Sequence, residues 1–198
     1  IGLSLGGTIF LNACLDYDNN KNLFDGLACI SSPLDLLSCS ECIDKPRNFI
    51  YQKWLIRRLK RQVLDSELNN KDISSQEIIK NKLKKIKTIR EFDEQLTAPS
   101  WGYKSVDDYY LKASPLIKIK ESSERLPLSL FIHAKDDPWV PYEATYELNE
   151  LFNNRKKRIS IMISERGGHN GFHSPKGCWS DEVVSKWIQS TYNILNES

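Results

Sequence analysis

The chain has 198 residues, of which 40% are hydrophobic, 27% charged and 10% aromatic. This composition is typical of a folded globular protein and excludes a disordered one. No run of about 18 apolar residues is present to form a membrane span. Lys and Arg number 28 against 26 Asp and Glu, and this balance gives no reason to expect a nucleic-acid-binding protein.

The N-terminal third combines a glycine-rich turn with helix and strand patterns. Gly2 to Gly7 predict a tight turn, and the apolar stretch from Thr8 to Leu15 has helical character. A polar loop follows at residues 19–22. The apolar run 27–31, which ends just before a proline, predicts a buried strand.

The character of the sequence changes after about Leu36. Residues 53–64 and 75–89 have a helical period, and no strand pattern interrupts them. We therefore predict a helical cap, residues 36–105, inserted into the rest of the chain.

Strand patterns return in the C-terminal part. Residues 127–134 and 158–164 have strand length and composition, with a helical pattern at 142–152 between them. An amphipathic helix at about 180–195 closes the chain, and its predicted buried residues are Val183, Val184, Trp187, Ile188 and Tyr192. Strands that alternate with helices predict a mostly parallel α/β sheet.

Five cysteines, at positions 14, 29, 39, 42 and 178, form an odd set in a chain of this length. This favours free thiols in a reducing compartment, so we expect a cytoplasmic location. Cys39 and Cys42 have the spacing of half a zinc site or of a redox pair, but a second Cys/His pair at a suitable distance is missing. Incidental thiols are the favoured interpretation.

Gly2-x-Ser4-x-Gly6 has the form of a nucleophile elbow. In such an elbow the serine occupies a strained turn between a strand and a helix, and small residues two before and two after it avoid clashes. The backbone N–H of Leu5 would then face the oxyanion that develops during acyl transfer. An ordinary glycine-rich turn is the alternative interpretation of this pentapeptide.

A serine nucleophile needs a base, and the chain has three histidines. His169 lies in a glycine-rich loop directly after a predicted strand, where the loop can carry the imidazole over the edge of the sheet. His173 has the surroundings of a surface loop, and His133 lies near a strand end, where a structural role is expected. We predict His169 as the base.

The base needs an orienting acid, which in this serine–acid–histidine order follows a strand and precedes the histidine. Asp136 and Asp137 both follow the predicted strand 127–134. Asp137 begins a D-x-x-V-P turn and is favoured, while Asp136 would point elsewhere. The alternative is a solvated turn whose two acids cap the next helix.

These residues resemble the YheT-like branch of the α/β-hydrolases from Gly2 to about Trp187. The elbow at 2–7, the acid turn at 133–138 and the histidine loop at 167–172 all resemble that branch. The most specific match is Thr88-Ile89-Arg90-Glu91-Phe92-Asp93, followed by Thr97-Ala98-Pro99, Gly102-Tyr103 and Asp108-Tyr109-Tyr110.

The resemblance implies an α/β-hydrolase fold with helices on both faces of the sheet. Residues 1–198 would form one such domain without its N-terminal strands, and the second oxyanion donor would lie upstream. We accordingly expect this stretch alone to be poorly soluble or inactive.

The implied activity is that of a serine hydrolase acting on carboxylic esters, including acylglycerols. Carried over by position, Ser4 is the nucleophile, Asp137 the acid and His169 the base. No metal or organic cofactor is needed. An alcohol acyltransferase using the same triad and a non-catalytic hydrolase-like binding module are the alternative functions.

Two further features suggest binding roles. The aromatic residues near the expected junction of cap and core, together with the one in the acid turn, either line an acyl pocket or pack structurally: Trp101, Tyr103, Tyr109, Tyr110 and Trp139. The basic run from Lys80 to Arg90 suggests peripheral contact of the cap with an anionic membrane, or simply a solvated helix face. The expected partner is a small ester or lipid and not nucleic acid, and the oligomeric state is left open.

Overall fold

The computed structural model describes residues 1–17, 23–67, 73–152, 158–175 and 177–196. The loop predicted at residues 19–22 lies outside these ranges. The chain forms two compact units, one of Ile1–Cys39 with Lys112–Ser198 and the other of Ser40–Leu111. We call them the sheet unit and the helical unit. The cap predicted for residues 36–105 falls largely on the helical unit.

The sheet unit is built on four strands: β1 (Gly2–Leu3), β2 (Gly26–Ile30), β3 (Leu128–Ala134) and β4 (Ile159–Ser164). Their spatial order is β1-β2-β3-β4, and each neighbouring pair is parallel. The carboxyl ends of all four strands therefore lie along the same edge of the sheet. A separate antiparallel pair consists of β5 (His173–Ser174) and β6 (Gly177–Cys178).

The helices of the described residues complete both units. In chain order they are α1 (Leu5–Asp16), α2 (Leu36–Ile43), α3 (Phe49–Glu67), α4 (Ile73–Lys85), α5 (Ile89–Phe92), α6 (Ala98–Ser100), α7 (Val106–Ala113), α8 (Pro115–Ser122), α9 (Glu143–Phe152) and α10 (Trp179–Asn196). Short 3-10 turns occur at Pro46–Asn48 and Ser123–Arg125, and a π-helical turn at Asp93–Thr97.

The sheet buries apolar side chains on both of its faces. Successive strand residues point to opposite sides, so Leu27 and Cys29 pack with α1, α8 and α9, whereas Ala28 and Ile30 pack with α10. The same alternation runs through β3. The predicted parallel α/β sheet with helices on both faces is confirmed.

The predicted closing helix exists, but part of its predicted buried face is wrong. Ile188 and Tyr192 are 45% and 66% exposed. The buried stripe instead runs through Ser180, Val184 and Thr191, with Trp187 packed against the sheet core. These positions are three or four residues apart, as the helical repeat requires, and polar Ser180 and Thr191 concealed them in the sequence.

The helical unit has its own core, formed by Ile56, Leu83, Ile86 and Phe92. The single helix predicted for residues 75–89 is wrong, because α4 ends at Lys85 and α5 begins at Ile89. Thr88 starts the new helix with a capping box: its hydroxyl accepts the Glu91 N–H, and the Glu91 carboxylate accepts the Thr88 N–H. That Thr-x-x-Glu pattern was readable in the sequence.

The cysteines and the helices bear on the predictions about disulfides and membrane spans. None of the five cysteines, which all lie in the described ranges, forms a disulfide, and all but Cys178 are buried. Within the described residues, no helix is both long and apolar enough to span a membrane.

Candidate active site

Ser4 lies in a sharp turn between β1 and α1. Its backbone has φ 50° and ψ −130°, a region that residues other than glycine seldom adopt. Its N–H donates to the carbonyl oxygen of Ile30 at 2.9 Å, and its own carbonyl accepts from the Gly7 N–H at 3.0 Å. These two bonds hold the strained turn and present the hydroxyl at the carboxyl edge of the sheet.

Lack of space for a Cβ explains two glycines of this turn, but only one of the two that the motif predicted. A Cβ at Gly2 would lie 2.4 Å from the Gly7 Cα, and a Cβ at Gly7 would lie 2.0 Å from the Ser32 Oγ. A Cβ at Gly6 would meet nothing within 4 Å. The prediction that Gly6 avoids a clash is therefore wrong, because Gly7 is the residue that faces Gly2.

Ser4, His169 and Asp137 form a continuous chain of hydrogen bonds. The Nε2 atom of His169 is 2.9 Å from the Ser4 Oγ, and its Nδ1 atom is 2.9 Å from an Asp137 carboxylate oxygen. An ionised carboxylate can only accept, so Nδ1 carries the proton and Nε2 is free to accept one from the serine hydroxyl. The structure thus brings together the three side chains that the sequence nominated.

Asp137 is held as an anion by the turn that follows β3. Its side chain is fully buried, and its other oxygen accepts the N–H groups of Trp139 and Val140 at 2.9 and 3.0 Å. Burial by itself would raise the pKa of this carboxyl. The hydrogen bonds from His169, Val140 and Trp139 outweigh burial and hold the pKa of Asp137 below its ordinary value.

Asp136 points away from the imidazole, as predicted, but it has a role that sequence reasoning missed. One of its carboxylate oxygens accepts the Gly167 N–H at 2.8 Å and the Gly168 N–H at 2.7 Å. These are the two residues before His169. The acid turn therefore contacts the histidine loop in two ways. Asp137 binds the His169 side chain, and Asp136 binds the backbone N–H groups of Gly167 and Gly168.

Ser31 is a second supporting residue that sequence reasoning missed. It follows β2, is completely buried and has a positive φ of 46°. Its Oγ accepts the N–H of Asn170 at 3.3 Å, directly beside His169. The sequence signal was its position at a strand end, which it shares with Ser4 and Asp137.

The proposed substrate-binding residues divide between the two units. In the sheet unit, the Trp139 ring lies 4.8 Å from the His169 ring, centroid to centroid. In the helical unit, Trp101 is 77% exposed and the rings of Tyr103 and Tyr109 are 5.2 Å apart. Burial raises the pKa of Tyr109 to about 12, so its hydroxyl stays protonated at neutral pH.

Leu5, the proposed oxyanion donor, is the first residue of α1. The first N–H groups of a helix have no acceptor within that helix, and they lie at the positive end of its dipole. The Leu5 N–H therefore suits a developing negative charge next to Ser4. Among the described residues, no group of three or more His, Cys, Asp and Glu side chains is arranged to hold a metal ion.

The other two histidines occupy the surroundings expected for them. His173 is exposed in β5. His133 is buried, with its Nε2–H donating to the Val140 carbonyl at 3.0 Å and its Nδ1 accepting from the Thr145 hydroxyl at 2.9 Å. It therefore supports the turn that holds Asp137.

Burial of His133 predicts a loss of stability in mild acid. Burial lowers the pKa of His133 in the folded protein, whereas the pKa of a histidine in an unfolded chain is about 6.5. As the pH falls through that value, the unfolded chain binds a proton more readily than the folded chain, so the free energy of unfolding decreases. Denaturant unfolding near pH 7.5 and 5.5 measures this decrease. His133→Gln should reduce the pH dependence, and an unchanged dependence would contradict the assignment.

Comparisons with known proteins agree with this architecture. The chain is 29% identical to the mouse phospholipase ABHD3, 30% to YheT of Escherichia coli (strain K12) and 33% to the monoacylglycerol lipase of Saccharomyces cerevisiae. These alignments cover 96%, 97% and 96% of this chain, but only 44%, 54% and 41% of the respective relatives. The chain thus spans about half the length of its curated relatives, or less. No protein-family model matches it.

A solved structure shows the same fold at low sequence identity. The acetyl ester-xyloside bifunctional hydrolase of Caldicellulosiruptor lactoaceticus matches with a TM-score of 0.50 at 14% identity, over 96% of this chain and 54% of that one. The parallel sheet with helices on both faces, and its strand-to-helix serine turn, define part of an α/β-hydrolase fold. Within that class, YheT is among the relatives that match nearly all of this chain, and the predicted resemblance to the YheT-like branch is confirmed.

Proposed function

We propose that the chain carries the catalytic triad of a serine hydrolase that cleaves carboxylic esters. The observation that supports this most strongly is the pair of 2.9 Å contacts that link Ser4, His169 and Asp137 in one line. The relatives' names, which include phospholipase and monoacylglycerol lipase, support the same chemistry. Ser4 is the nucleophile, His169 the general base and Asp137 the group that orients and stabilises the imidazolium.

In the first half of the reaction, the Ser4 Oγ attacks the ester carbonyl carbon while His169 Nε2 takes the hydroxyl proton. The carbonyl oxygen becomes an oxyanion, towards which the Leu5 N–H donates. Collapse of the tetrahedral intermediate breaks the bond to the alcohol, which leaves with the proton from His169. The acyl group remains on Ser4.

In the second half, His169 removes a proton from a water molecule that attacks the acyl-enzyme. The carboxylic acid departs and the proton returns to Ser4. The Asp137 anion balances the positive charge of His169 in both transition states, because the carboxylate is buried and its second oxygen is already satisfied by backbone N–H groups.

The substrate class that fits best is an ester of a short or medium-chain acid or an acylglycerol. Two of the relatives are named phospholipase and monoacylglycerol lipase, and these names describe enzymes that act on glycerol-based lipids. The Trp139 ring beside His169 provides apolar surface next to the reacting groups, which suits an acyl chain.

Labelling by a fluorophosphonate tests the proposal, because such probes phosphonylate an activated serine. The intact protein should be labelled and should hydrolyse a medium-chain nitrophenyl ester. Ser4→Ala should lose both signals, whereas Ser66→Ala, which changes an exposed serine near the end of α3, should keep them. Absence of labelling in the unmodified protein would support a non-catalytic module. Ethyl-ester formation that outpaces hydrolysis in the presence of ethanol would indicate acyl transfer instead.

A further inference from the structure

One stretch of the helical unit has a strongly one-sided charge. From Lys45 to Leu64 the chain has seven Lys and Arg and no Asp or Glu, at positions 45, 47, 53, 57, 58, 60 and 61. The protein as a whole has a net charge of only +2. Net positive charge therefore lies on α3 and the residues just before it, in addition to the basic run from Lys80 to Arg90.

The exposed side of α3 combines these cations with large apolar side chains. Phe49, Ile50 and Trp54 are 61%, 82% and 51% exposed. Positions three or four apart share a side of a helix, so one side presents Phe49, Ile50, Lys53, Trp54, Arg57, Arg58 and Arg61, all exposed. We call this set the α3 surface. On the opposite side, Ile56 belongs to the core of the helical unit, and Gln52 is buried and donates to the Ile43 carbonyl.

Cations and aromatic rings are paired along the α3 surface. The Lys53 Nζ is 5.7 Å from the centre of the Phe49 ring, and the Arg58 guanidinium is 5.4 Å from that of Trp54. The first acidic side chain along the helix is Asp65, which lies 3.8 Å from Arg61 at the far end. Most of the positive charge on this surface therefore has no acidic residue beside it in sequence.

A groove adjoins the α3 surface on the same unit. It has a volume of about 390 Å³, and its lining combines apolar side chains with lysines and one arginine but contains no acidic residue. Its cations are Lys53, Arg57, Lys60, Lys84 and Lys87. The Lys60 Nζ donates to the Ile86 carbonyl at 2.6 Å, which fixes that cation at the groove wall. A groove of this kind suits a phosphate-bearing head group.

We propose that the α3 surface docks on an anionic phospholipid bilayer. Amphipathic helices at membrane interfaces insert aromatic and aliphatic side chains at the level of the head groups, and their Lys and Arg residues contact anionic lipids. Phe49, Ile50 and Trp54 supply the inserting side chains, and the cations around them supply the charge complementarity. This inference goes beyond ester hydrolysis and is tested by binding alone, so its failure would leave the triad proposal untouched.

Sedimentation with lipid vesicles tests the charge requirement. The intact protein should bind vesicles containing roughly 30% phosphatidylserine in phosphatidylcholine, and bind pure phosphatidylcholine at least ~10-fold more weakly. The variant Arg57→Gln/Arg58→Gln/Arg61→Gln should lose about 10- to 100-fold in partitioning to the anionic vesicles. Lys120→Gln/Lys135→Gln/Lys186→Gln removes the same charge from ion pairs of the sheet unit and should bind like the unmodified protein.

Insertion of the apolar side chains has a separate readout. Brominated phospholipids should quench part of the tryptophan fluorescence, and Trp54→Phe should remove that part. Unchanged thermal unfolding of each variant establishes that its fold is intact. Equal binding to neutral and anionic vesicles, or equal loss in the two triple variants, would overturn the proposal. So would binding of an RNA oligonucleotide without binding of vesicles.

Discussion

Asp137→Asn should reduce the kcat of ester hydrolysis by about 10⁴-fold. The amide cannot balance the charge of a protonated His169, and if its NH₂ group faces Nδ1 it favours the tautomer whose Nε2 carries a proton and cannot accept one from Ser4. The Ser4–His169 contact of 2.9 Å would remain, yet the proton would stand on the wrong nitrogen. Steady-state kinetics with a soluble nitrophenyl ester on the intact protein measure the loss.

The neighbouring Asp136→Asn variant is the matched control. Its amide oxygen can still accept the Gly167 and Gly168 N–H groups, which Asp136 now holds at 2.8 and 2.7 Å. We therefore expect it to keep most of the turnover. A severe loss in Asp136→Asn together with a mild one in Asp137→Asn would mean that the roles of the two aspartates are reversed.

Gly2→Ala should destabilise the protein by about 1–3 kcal/mol and strongly reduce labelling of Ser4. The added Cβ would lie 2.4 Å from the Gly7 Cα, which is backbone and cannot rotate aside like a side chain. Relief of this clash would require α1 to move away from β1, and Ser4 lies between them. Denaturant unfolding and the rate of fluorophosphonate labelling measure the two effects.

Gly6→Ala is the contrasting substitution within the same motif. Its Cβ would have open space around it, and alanine is the better helix former. We expect stability to be unchanged or slightly increased and labelling to persist. Equal damage from both substitutions would show that the close approach of Gly2 and Gly7 is not the reason for the motif.

The three residues of the proposed triad could be nominated from the sequence because Asp137 and His169 each follow a strand pattern and Ser4 lies in a nucleophile-elbow motif. The apolar strands end just before Ser4, Asp136-Asp137 and the 167–171 loop, and in a parallel sheet these ends meet at one edge. Sequence reasoning also favoured Asp137 over Asp136 from its D-x-x-V-P turn. The structure supplies the physical reason, which is that the Asp137 oxygens accept two turn N–H groups and the imidazole.

The helical unit was less predictable in detail. Its helical character followed from the periodicity of residues 53–64 and 75–89, but the break after Lys85 depends on a local capping box at Thr88 and Glu91. Periodicity alone is insensitive to such a break, because the apolar residues on either side of it remain close to helical spacing. The exposure of Phe49 and Trp54 on α3 was likewise hidden, because a helical period alone does not show which apolar residues face the core.

The sequence by itself determined the alternation of strands and helices, the nominated serine, acid and histidine, and the resemblance to the YheT-like branch. These depend on local pattern and on residue order along the chain. Only the tertiary structure decided that Gly7 rather than Gly6 faces Gly2, that Asp136 holds the histidine loop, and that Ile188 and Tyr192 are exposed. Each of these depends on which atoms meet between segments distant in sequence, or on which side of a helix meets the sheet, and local pattern contains neither.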